Sequence, residues 1–289
     1  MLKEWPLVAF TVAGQAAVGI FLFAGLPFFL SVGAGGNAAA RETQLNVLAV
    51  VLGLLAVAAL LSFFHLYHPL RARRVLTNLR TSWLSREIFF ELGFMALVAL
   101  GALLAWRRPA EGILLKGILA AAGLAGILFI LSMSKLYMLQ TVPSWNQAYT
   151  PLSFFLTSLS LGALAAALVR ASGAETPSRS GAFILLSFVL VAAEAALSFL
   201  ISPGHGVYGH RPGPSLRPPG EARRTIHLAR LALLLAGLAL IGAAMIATEG
   251  RAASGLGGNG LLAVALALVL AGQIAGRFLF YGLFGRPGR

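Results

Sequence analysis

Cysteine is absent from the 289-residue sequence. Disulfides, thiolate zinc sites and iron-sulfur clusters ligated by this protein are thereby excluded. Aspartate is absent as well, all nine acidic residues being glutamates, and charged residues make up only 11% of the sequence. Histidine is scarce: His65 and His68 stand at the end of one apolar run, His205 and His210 in a Pro/Gly-rich connection, and His227 at the start of another run. A b-type heme in a helix bundle needs two histidines facing one iron from helix interiors, and this distribution offers no such pair. The sequence thus predicts neither heme nor metal in this subunit.

What is plentiful is apolar. Hydrophobic residues make up 58% of the sequence and the mean hydropathy is +0.86, values far from those of a soluble domain. A hydrocarbon core of roughly 30 Å takes about 20 helical residues, and eight runs are long enough: near 6–31, 45–67, 87–106, 113–138, 151–171, 181–201, 226–248 and 259–283. Backbone polar groups in lipid must be satisfied within the segment, so these runs are predicted to be helices. The expected fold is an all-α integral membrane protein, a single polytopic domain over 1–289 with eight transmembrane helices and both termini on one side. The first run is too long for a cleaved signal peptide, and Trp5-Pro6 reads as an interfacial start. The longest connection, SPGHGVYGHRPGPSLRPPGEARRT, is too rich in Pro and Gly to be helical throughout. GLGGNG at 255–260 follows no strand and reads as a turn, not a phosphate-binding loop.

A net charge of +13 would suggest nucleic acid in a soluble protein. Here the basic residues lie mainly between the apolar runs, where they act as a topology signal. They weight the side that holds the termini and the connection after His65, which the positive-inside rule assigns to the cytoplasm.

A charge inside a membrane span is costly and marks a functional candidate. Five residues qualify: Glu87 and Glu91 on the third helix, Lys135 on the fourth, Glu194 on the sixth and Arg277 on the eighth. Glu87 and Glu91, four apart, share a helix face, with Glu91 one turn deeper. His65 ends the second helix at the edge where the third begins, so His65 and Glu87 should lie at similar depth. Histidine and carboxylate can both take protons from a phenolic hydroxyl, which makes them a candidate acceptor pair. The same residues also suit a purely structural role, His65 at a helix C-terminus and Glu87 at a helix N-terminus, each favourable against the helix dipole. Lys135 is placed either to snorkel or to pair with a glutamate. Arg277, among the small residues of AGQIAGRFLFYG, reads as an ion-pair or hydrogen-bond partner. Glu194 fits either a proton relay or a protonated acid bonded to a carbonyl, and the sequence does not choose.

Four stretches carry a resemblance: EWPLVAFTVAGQAAVG, HLYHPLRARRVLTNLRTSWLSREI, YMLQTVPSWNQAYTPLSFFLTSLSLG and GQIAGRFLFYGL. In this order, across eight spans from residue 4 to about 283, the sequence resembles the dimethyl sulfoxide reductase anchor-subunit family, which is related more distantly to polysulfide reductase-type anchors. The sixth and seventh helices and the Pro-rich loop match only in hydropathy. The resemblance implies a heme-free subunit of the prokaryotic cytoplasmic membrane that oxidises menaquinol. Its electrons would pass to a four-cluster ferredoxin-like iron-sulfur subunit bound to a molybdopterin catalytic subunit. It further implies that His65 and Glu87 belong to the menaquinol site, with Arg71, Arg86, Glu91 and Lys135 around it and the basic segment docking the partner or orienting the head group. Lys135 stands where relatives tend to have arginine, and Gln273 where a glutamate is usual, which removes an expected ion-pair partner of Arg277. On sidedness the resemblance opposes the charge count, because the family's catalytic subunits commonly carry twin-arginine signals and basic docking loops distort such counts. The alternative reading is a proton-translocating or transporter-like subunit with a path through Glu194, Lys135 and Glu91.

Overall fold

A computed structural model describes residues 5–26, 38–65, 78–107, 113–142, 145–172, 177–200, 220–249 and 256–282. The eight helices predicted from hydropathy are present: α1 (Trp5–Ile20), α2 (Ala38–His65), α3 (Trp83–Arg107), α4 (Ile113–Tyr137), α5 (Tyr149–Ser172), α6 (Pro177–Leu200), α7 (Gly220–Glu249) and α8 (Leu256–Gly282). All eight are long and apolar enough to cross a membrane, and no strand occurs among the described residues. The α1 helix continues into one π-helical turn, Phe21–Gly25. Residues 27–31, predicted to extend the first helix, lie outside the described residues.

Four helices, α2, α3, α6 and α7, begin four or more residues before their apolar runs, and the starts of α3 and α7 have visible causes. The α3 helix starts at Trp83, not near Glu87, because the Ser82 hydroxyl accepts the Ser85 backbone N–H at 3.3 Å and so caps the first turn. Glu87 is therefore already one turn inside the helix. The α7 helix starts at Gly220, with the polar turn Glu221-Ala222-Arg223-Arg224 ahead of the apolar run, and Glu221 is well placed against the N-terminal dipole.

The helices form two consecutive quartets. In the first, α1 packs on α2 and α4, and α3 packs on α2 and α4; in the second, α5 packs on α6 and α8, and α7 packs on α6 and α8. The quartets meet through α1, which lies against α5 and α8, and through α4, which lies against α5. Two-thirds of the α1 and α5 spans is buried, 67% in each, against 28–39% for the other six. These two are the central helices, and the others turn a broad apolar face outward, as lipid contact requires.

Small residues make the central contact possible. A β-carbon at Gly19 would overlap the Ser158 carbonyl, and one at Gly162 would overlap the Gly19 backbone, so the two helices touch main chain to main chain. The Ser158 hydroxyl donates to the Gln15 carbonyl across the same junction at 2.8 Å. Apolar packing differs on either side of it. Phe10, Phe21, Phe94 and Phe129 fill the first quartet, while the second is packed by smaller groups such as Ala167, Val191, Ile241, Ala265 and Val269.

Candidate functional site

At the end of the bundle where α1 and α3 begin and α2 and α4 finish, the first quartet encloses a cavity of about 260 Å³. Each of its four helices contributes to the wall: Pro6, Leu7 and Phe10 from α1, Leu61 and Ser62 from α2, Leu84, Glu87 and Ile88 from α3, and Leu136 and Tyr137 from α4. The lining is apolar apart from Ser62, Glu87 and Tyr137. Glu87 is the one ionisable carboxyl group on it, 2% exposed, and its Oε1 has no hydrogen-bond partner among the described residues. An acid buried without a partner in an apolar setting carries a cost and calls for an explanation.

The residues singled out from the sequence separate into groups. His65 is the last residue of α2, in helical register with Leu61 and Ser62 of the wall, and its side chain lies outside what the structure describes, as do Arg71 and His68. Glu91 is buried one turn below Glu87, also with an Oε1 unpartnered among the described residues, but it does not line the cavity. Lys135 is half-buried, makes no salt bridge among the described residues, and likewise is not on the wall. Arg86 turns away from the cavity to its own loop. Its Nε donates to the Leu79 carbonyl at 2.8 Å, its Nη2 to the Arg80 carbonyl at 2.7 Å, and its guanidinium lies 4.2 Å from the centre of the Trp83 ring. That geometry makes Arg86 a clamp holding residues 79–83 against the start of α3.

The second quartet holds its charges differently. Glu194 on α6, also 2% exposed, is saturated: Gln273 Nε2 donates to Oε2 at 2.6 Å, Ser160 donates to Oε2 at 3.1 Å, Arg230 Nη2 reaches Oε1 at 3.3 Å, and Thr157 lies 3.4 Å from Oε1. Gly276 makes room for this pair, since a β-carbon there would lie 2.8 Å from the Arg230 guanidinium. Neither role expected for Glu194, relay or carbonyl-bonded acid, included Arg230 as its partner.

Arg277 lies on the same helix as Gln273 but serves a different part of the network. It donates to Gln15 Oε1 of α1 at 3.0 Å, faces the Ser153 carbonyl and the Thr157 hydroxyl at 3.4 Å each, and stacks 3.7 Å from the centre of the Phe154 ring. The hydrogen-bond role expected of Arg277 holds, and glutamine at 273 does not leave it without partners. Through Gln15 and Arg277 the charged core of the second quartet is tied to α1 of the first.

Between the two regions stands a cluster of aromatic rings. Tyr137 of α4 meets Trp145 at 5.6 Å, Phe154 at 5.8 Å, Phe280 at 5.6 Å and Tyr281 at 5.3 Å between ring centres. Trp145 stacks on Phe280 and donates its indole N–H to the Phe280 carbonyl at 2.9 Å, fastening the α4–α5 connection to the end of α8. Sequence reading missed Ser62 and Tyr137 on the wall, and Gln15 and Arg230 in the network. Tyr137 and Gln15 do stand inside two of the motif stretches; no spacing signals Ser62 or Arg230. Among the described residues no group of three or more His, Cys, Asp or Glu is placed to hold a metal.

A multi-pass helical membrane protein with an acid-bearing cavity at one edge is the class that this fold and site define. The family described as DMSO reductase anchor subunit (DmsC) matches residues 1–207. The YnfH subunit of an anaerobic dimethyl sulfoxide reductase from Escherichia coli (strain K12) is 33% identical over 282 residues, 97% of this protein and 94% of the relative. A second anaerobic dimethyl sulfoxide reductase subunit of the same strain is 30% identical over 306 residues, again 97% of this protein and 94% of the relative. An anaerobic dimethyl sulfoxide reductase subunit from Haemophilus influenzae is 36% identical over 162 residues, 54% of each protein. No solved structure matches. The protein belongs to the dimethyl sulfoxide reductase anchor-subunit family, as a membrane anchor subunit.

Proposed function

We propose that this anchor oxidises menaquinol in the first-quartet cavity and passes the electrons to an iron-sulfur partner. The observation that carries the reading is Glu87: a buried carboxyl with an unpartnered oxygen on an otherwise largely apolar wall. An apolar hollow with a few convergent polar groups suits a head group with two hydroxyls on a hydrophobic ring. Menaquinol loses two electrons and two protons to become menaquinone. Glu87 and His65 accept the protons, and the electrons leave to the nearest cluster of a four-cluster ferredoxin-like subunit, which relays them to a molybdopterin catalytic subunit. The oxidant is thus the partner's cluster.

The position at one edge suits that transfer, because a partner outside the bilayer can bring its cluster close only there. The basic segment that contains Arg71 forms the docking surface, and the complex lies in the cytoplasmic membrane of a prokaryote. The proton-translocating alternative has less to build on. Glu194 is committed to Arg230, Gln273 and Ser160, and Glu91 and Lys135 lie on α3 and α4 of the other quartet. Menaquinol-dependent reduction of the purified complex tests the assignment in His65→Ala and Glu87→Gln variants. Both are expected to lose quinol oxidation while assembling normally; normal rates in both would overturn the site.

A further inference from the structure

Glu87 and His65 account for two protons but not for how the head group is held while they leave. An ionised carboxylate only accepts hydrogen bonds, and quinol loses both its donors on becoming quinone, whose ring oxygens only accept. A ligand that holds the ring in both states needs a group that donates to a ring-oxygen lone pair, which quinol and quinone both offer. A phenol is such a group, and the cavity has one in Tyr137.

Tyr137 is also unusually well fixed. It is buried, and its ring is packed by Trp145, Phe154, Phe280 and Tyr281, which come from the α4–α5 connection, α5 and α8. The second quartet and its connection thus set the ring, while the residue itself forms part of the wall that Glu87 also lines. We infer that Tyr137 is a second head-group ligand in this cavity, its phenol O–H donating to a lone pair of one ring oxygen in the p-quinol and to the corresponding carbonyl oxygen in the quinone. It binds and orients the ring; it does not take the substrate's proton. Phe280 and Tyr281 act as positioning residues behind it. The inference rests on the cavity being the quinol site.

The intact complex is assayed with 2-methyl-1,4-naphthoquinol as reductant. Tyr137→Phe is expected to raise KM on the order of tenfold, the weight of one hydrogen bond, with a smaller change in kcat, and to weaken product inhibition by 2-methyl-1,4-naphthoquinone. Glu87→Gln is run beside it and is expected to be inactive. If Tyr137→Phe keeps KM and product inhibition within twofold of the unmodified complex while Glu87→Gln is inactive, the role of Tyr137 is overturned and the quinol site stands. If Glu87→Gln is fully active, the site itself falls, and this inference with it. Should Tyr137→Phe fail to assemble, 2,3-difluorotyrosine at position 137 keeps the shape and makes the phenol a stronger donor. Tighter quinone inhibition is then expected, and unchanged inhibition contradicts the role.

Discussion

Glu87 and Glu194 are the same residue type, buried to the same degree, in helices of similar length. Their surroundings are opposite. Glu194 is met by a guanidinium, an amide and a hydroxyl on three other helices, whereas Glu87 keeps an oxygen without partner among the described residues and faces a hollow. Burying a charge is tolerated when it is paired and bonded, and an unpaired one persists where something else requires it. The second quartet has used its acid to bind helices together. The first has kept its acid available. Depth alone therefore does not separate a glutamate tied into a hydrogen-bond network from one that is not; the partners do.

The contrast can be broken from the structural side first. Arg230→Ala leaves Glu194 buried without its cation and is expected to destabilise the protein by about 3–5 kcal/mol, the usual cost of halving a buried pair. The loss would show as a lowered Tm and reduced membrane levels of the complex. Replacing both partners, Arg230→Leu with Glu194→Leu, should recover a large part of it, since apolar pairs of similar volume often match buried ion pairs. Gly162→Val forces a side chain into the Gly19 backbone and is expected to cost about 1–3 kcal/mol through overpacking, read out as a lower Tm. Smallest is Arg86→Lys. A lysine cannot span the Leu79 and Arg80 carbonyls as the planar fork does, so residues 79–83 loosen by about 1 kcal/mol. Faster proteolytic nicking in that turn, at nearly unchanged quinol oxidation, would bear this out; a collapse of quinol oxidation with the turn intact would return Arg86 to the head group.

The helices were legible because lipid leaves the backbone no choice, so length and hydropathy suffice. Their ends were less so. Ser82 and the Glu221-Ala222-Arg223-Arg224 turn extend α3 and α7 into polar sequence that hydropathy assigns to loops. The four-and-four arrangement was not legible, because it depends on which face of each helix carries the close contact, and Gly19 and Gly162 are two glycines among 33. Glu87 stood out as a charge in an apolar run, and the structure puts it on the cavity wall. Arg230 lies inside the seventh apolar run but was not singled out, since nothing in its spacing marks Glu194 of the sixth run as its partner; about 15 Å into α7, counted from Gly220, it is buried. Tyr137 was hidden for a different reason. An aromatic residue at a helix end is the ordinary membrane-interface belt, and only the surrounding rings and the cavity beside it give it another meaning.

The most direct test puts both acids into one assay: menaquinol oxidation per assembled complex for Glu87→Gln and Glu194→Gln, with assembly measured separately. The account predicts that Glu87→Gln assembles normally and loses quinol oxidation by on the order of a hundredfold or more, the scale of a lost proton acceptor. Glu194→Gln should reduce the amount of assembled complex and leave each remaining complex active. A fully active Glu87→Gln complex, or a Glu194→Gln complex that assembles normally and is inactive, would contradict it.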